Sequence, residues 1–95
     1  MATIDLTRLH SLPKEEARKR TEEIAQSMEK KLGIQWKWDG DIIRFQADSG
    51  AAKGTKGELQ VHEKEIRVMV DLPLMLRMMR KTIEEKIHEK LDRLA

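Results

Sequence analysis

The chain has 95 residues, 38 % of them charged and 39 % hydrophobic, so it can bury one modest core and reads as one domain over residues 1–95. Nineteen Lys and Arg against seventeen Asp and Glu leave a formal charge of +2, too mixed for a nucleic-acid partner, which relies on clustered positive charge. There is no cysteine, which excludes disulfides, thiolate metal sites and cysteine catalysis.

Ala2 to Arg8 alternates, Ile4 and Leu6 against Thr3, Asp5 and Thr7, and predicts a half-buried strand at a sheet edge. MATIDLTRLH has neither the basic start nor the apolar run of a signal peptide. Ser11 is the predicted N-cap of the first helix, Pro13 suits its first turn, and Glu15 and Glu16 favour the positive end of the dipole. Ala17, Thr21, Ile24, Met28 and Leu32 recur at helical spacing and give one apolar stripe. Lys30 and Lys31 close the helix, with Gly33 as the predicted left-handed cap.

The period then changes from that of a helix to that of a strand. Ile34, Trp36 and Trp38 share one face and Gln35 and Lys37 the other. Asp39-Gly40 reads as the two central positions of a primed hairpin turn, after which Ile43, Phe45 and Ala47 continue the alternation. A flexible glycine-containing loop is expected from Asp48 to Gly57. Strands follow around Leu59 and Val61 and around Ile66, Val68 and Val70, joined by a turn at His62 to Lys64. The last helix is expected to begin near Pro73 and to run almost to Ala95. The predicted fold is α+β, an antiparallel sheet in the order β-α-β-β-β-β-α with the N- and C-terminal helices packed on one face.

Chemistry is sparse along this plan. His10, His62 and His88 fall in three elements with no metal-ligand spacing, and no catalytic residue, cofactor site or metal site is expected. Gly50, Gly54 and Gly57 fit neither the dinucleotide fingerprint nor the phosphate loop, and they lead into a strand. Glu84, Glu85 and Glu89 read as solvated partners for the basic residues of the last helix. No segment approaches the ~20 apolar residues of a membrane span, so a soluble cytoplasmic protein is expected.

One segment is apolar beyond need: Leu72 to Met79 carries six large apolar side chains in eight positions. On a helix advancing about 100° per residue, Leu72, Leu76, Met79, Ile83, Ile87 and Leu94 form a core stripe, with Leu91 at its edge. Leu74, Met75 and Met78 fall outside it, and Arg77, Arg80 and Lys81 rim them. Such an excess points to homodimerisation, to docking on a hydrophobic surface, or to cover by the N-terminal strand or the glycine loop. An alternative site is an apolar cavity between sheet and helices, lined by Trp36, Trp38 and Phe45, that would take an acyl-type ligand.

Several stretches in this order resemble one family, the small polyhydroxyalkanoic acid system proteins of bacteria, also called polyhydroxyalkanoate granule-region proteins. They are ATIDLTRLHSLPKEEAR at the start, W-x-G-D-x-x-x-F from Trp38 to Phe45, G-x-x-G-x-L-x-V from Gly54 to Val61, and the closing DLPLMLRMMRKTIEEKIHEKLDRL. The sequence departs from the family pattern in a longer loop at Asp48 to Lys53 and in Pro73, where such proteins often show glycine. The resemblance implies a bacterial cytoplasmic protein of storage-polyester metabolism at the granule surface. With no catalytic constellation in the sequence, the expectation is a non-enzymatic accessory partnered by the granule or a granule protein. It brings no catalytic residues.

Overall fold

The computed structural model describes residues 3–50 and 52–92. Strand β1 (Ile4–Leu9) leads into helix α1 (Lys14–Leu32), followed by β2 (Gln35–Asp39), β3 (Ile42–Gln46), β4 (Lys56–Val61) and β5 (Glu65–Asp71). A 3-10 helix (Leu74–Met79) then runs directly into α2 (Arg80–Asp92). All five strands join one antiparallel sheet in the order β1-β5-β4-β3-β2, so the architecture is α+β.

Alternation fixes which face is buried. Directly paired residues share a face, and the register sets Leu6 opposite Val68, Val68 opposite Leu59, Leu59 opposite Ile43 and Ile43 opposite Trp38. Val68, Leu59 and Ile43 are fully buried. Arg8 and Trp38 lie on this same face at opposite edges of the sheet. Arg8 reaches α2 through an ion pair to Asp92 at 2.6 Å, and Trp38 reaches α1 through a hydrogen bond to Glu22 at 3.0 Å. Both helices therefore cover one face. α1 adds Ala17, Thr21, Ile24, Ala25 and Met28 to the core, and α2 adds Ile87 and Leu91.

The opposite face carries charge. Arg67 makes two hydrogen bonds to Asp5, at 3.0 and 2.7 Å, and Arg44 bridges Asp39 and Glu58 at 3.0 and 3.1 Å. These cross-strand pairs keep the face in water and define its register.

Four local expectations need correction. Ser11 is not the cap of α1. Pro13 occupies that position without a side-chain cap among the described residues, and the preceding Leu12 N–H donates to His10 Nδ1 at 3.1 Å. The β2–β3 turn is centred on Gly40 and Asp41, because Asp39 pairs with Ile42; only Gly40 has positive φ, at 63°. That is the primed turn needing one left-handed residue rather than two. The loop before β4 is tied down: Ala47 N–H donates to Thr55 O at 2.8 Å and Gly54 N–H to Ala47 O at 2.9 Å. Finally, the segment after Pro73 is a 3-10 helix rather than the start of an α-helix. The expected strand residue Ala2 and stripe residue Leu94 lie outside the described residues.

Candidate functional site

The 3-10 helix is anchored from below and bare above. Leu72, the residue after β5, is buried, and its N–H donates to Thr3 Oγ1 at 3.2 Å. Leu76 N–H closes the first turn on Pro73 O at 2.9 Å, while Arg77 Nε donates back to Leu72 O at 3.3 Å. The segment has no acidic residue in its first turn and no side-chain cap, so an α-turn gains no help at its positive end.

Tighter winding changes which side chains align. At three residues per turn, positions i and i+3 eclipse, so Met75 stacks with Met78, and Leu76 with Met79. Leu74, Met75 and Met78 are 77 %, 88 % and 93 % exposed. Met79, expected in the core stripe, is 50 % exposed; it lines up with Leu76 but stands at the opening between the two helices instead of inside the core. Leu76 and Ile83 pack partly against the core, and Ile87 and Leu91 pack fully. Arg77, Arg80 and Lys81 are exposed beside the patch, with Arg80 paired to Glu84 at 3.4 Å. The glycine loop does come near, since a β-carbon on Gly54 would meet Pro73 at 3.3 Å, yet it stops short of the three apolar side chains.

Trp36 and Trp38 are half-buried beneath α1 and Phe45 is buried. The Arg18 guanidinium lies over the Trp38 ring, 4.0 Å from its centroid, so one face of that indole is occupied by the protein's own cation. Trp36 Nε1 is buried without a hydrogen-bond partner among the described residues. The opening beside Trp36 and Phe45 is shallow and edged by Gln35, Lys37, Arg44 and Gln46. A more apolar opening, about 200 Å³, lies between the helices. Its walls include Ile24, Met28 and Leu32 of α1, with Met79 at the end of the 3-10 helix and Ile83 and Ile87 of α2.

Each histidine is engaged in the framework. His10 is buried, accepts from Leu12 N–H at Nδ1 and contacts His62 O through Nε2 at 3.0 Å, which assigns the proton to Nε2. His62 meets Gln60 at 3.1 Å, and His88 Nδ1 accepts from Arg8 at 3.0 Å. Among the described residues, no group of three His, Asp or Glu side chains is placed to hold a metal ion. No described helix is long and apolar enough to cross a membrane.

Fold and site together define a class: an α+β protein with a two-helix cover on one sheet face and an apolar patch where chain leaves sheet for helix. Within that class the chain belongs to the family described as "Putative polyhydroxyalkanoic acid system protein", whose model matches residues 4–94. No curated protein and no solved structure shows a significant match.

Proposed function

We propose that the protein is a non-enzymatic cytoplasmic accessory of the polyhydroxyalkanoate system that docks on the storage granule through Leu74, Met75 and Met78. The carrying observation is that these three large apolar side chains stand more than three-quarters exposed on one short 3-10 helix. Apolar side chains beside Arg77, Arg80 and Lys81 suit the boundary between an apolar phase and water, where the basic groups stay hydrated. Methionine adds adaptability, since its unbranched thioether fits irregular surfaces.

The double variant Leu74→Ser/Met78→Ser separates docking from folding. Both side chains are exposed, so the melting temperature should stay near wild type, whereas co-sedimentation with granules should be lost. Retained binding at unchanged stability eliminates the patch as the contact. Protein-free polyester particles tell the granule surface from a granule protein: binding to native granules alone assigns the partner as protein. A dimer in sedimentation equilibrium that dissociates on the same double substitution replaces granule docking with self-association.

A further inference from the structure

We propose that the groove between α1 and α2 binds one anionic amphiphile, a single acyl chain ending in a carboxylate. The apolar walls would hold the chain, and Lys31, Lys86 and Lys90 would hold the carboxylate. Among the described residues these three lysines are the only titratable ones that line the groove. Acidic and basic residues interleave over much of this chain, whereas the rim of the groove carries positive charge alone among the described residues. Lys31 and Lys90 stand in the last turns of their helices, where a cation also favours the dipole. Lys86 has no such reason. It sits one turn before Lys90 on the same helix face, so the two ammonium groups reach the same rim. Among the described residues none of the three lysines forms an ion pair.

Size and sign select the occupant. The volume of about 200 Å³ falls below the ~300–1,000 Å³ of pockets for drug-sized ligands, which favours one chain over a diacyl lipid or a nucleotide-bearing thioester. A second copy docked symmetrically would set lysine rim against lysine rim. The groove is distinct from the patch at Leu74, Met75 and Met78, and its failure leaves granule docking untouched.

Sodium decanoate, titrated below its micelle concentration into the full methyl-labelled chain, is the test. Saturable binding of one decanoate per chain is expected, with shifts at the methyl groups of Ile24, Ile83 and Ile87. Decanol and decyltrimethylammonium should bind more weakly, and added salt should weaken decanoate. Lys86→Gln and Lys90→Gln should each lower affinity roughly two- to fivefold while shifting the ligand-free melting temperature by no more than about 4 °C. Ser27→Trp, which places an indole in the groove, should abolish binding. Shifts confined to Leu74, Met75 and Met78, equal affinity for decanol, or undiminished affinity in the lysine variants would overturn the proposal.

Discussion

At Gly57 the neighbouring strand and an aromatic ring both close on the space where a side chain would begin. A β-carbon there would lie 2.1 Å from the Met69 carbonyl oxygen and 2.7 Å from the Phe45 ring. The first neighbour is backbone and cannot move aside without parting β4 from β5. Gly57→Ala should therefore destabilise the protein by on the order of 3 kcal/mol or more, beyond ordinary overpacking, as read by chemical denaturation. A near-neutral result would show that the two strands stand further apart than described. Sequence alone gives Gly57 as the last of three spaced glycines and suggests a loop, because the crowding comes from residues distant along the chain. The burial of Ile43 and Phe45 is legible for the opposite reason: strand period depends only on near neighbours. His10 lies between these cases. Its place before a helix is visible, but its hydrogen bond to His62 O depends on how the β4–β5 turn meets β1.

Among the elements, the β2–β3 turn acts as a receptor for the start of α1. Asp41 accepts from Lys14 and from Arg18, the latter at 2.7 Å, while Arg18 also donates to Gly40 O at 2.9 Å and covers Trp38. The hydrogen bond from Lys14, reinforced by Arg18, holds the Asp41 carboxyl below its ordinary range; Arg67 does the same for Asp5 on the outer face. A carboxylate with a lowered folded-state pKa stabilises the fold fully above its unfolded value and loses that contribution as pH falls through the folded value. The melting temperatures of wild type and Asp41→Asn should then differ by a constant amount above about pH 5 and converge below about pH 4. A difference that persists into acid would assign the role of Asp41 to turn geometry instead. The hairpin itself is visible in Asp39-Gly40-Asp41, but its centre is displaced by one residue because strand pairing sets the register. The helical period fails similarly after Pro73, where a projection at about 100° per residue assumes an α-helix but the chain winds as a 3-10 helix, and Met79, expected in the core, is half exposed.

At the scale of the whole molecule, charge and apolar surface are segregated. Ion pairs cover the outer sheet face, the helices cover the inner one, and the large apolar excess gathers at the 3-10 helix. Such a molecule has one favourable orientation on an apolar surface, with Leu74, Met75 and Met78 toward it and the Asp5–Arg67 and Arg44–Glu58 pairs in water. Methionine oxidation can read that orientation, because attack at the thioether follows exposure. Among the described methionines of the free protein, limited peroxide should convert Met75 and Met78 to sulfoxides first, Met79 more slowly and buried Met28 last. On granules, Met75 and Met78 should become protected while half-buried Met69, on the outer sheet face, keeps its free-state rate. Peptide mass spectrometry resolves these positions. Protection of Met69 with continued oxidation of Met75 and Met78 would turn the molecule over and assign the charged sheet face to the partner.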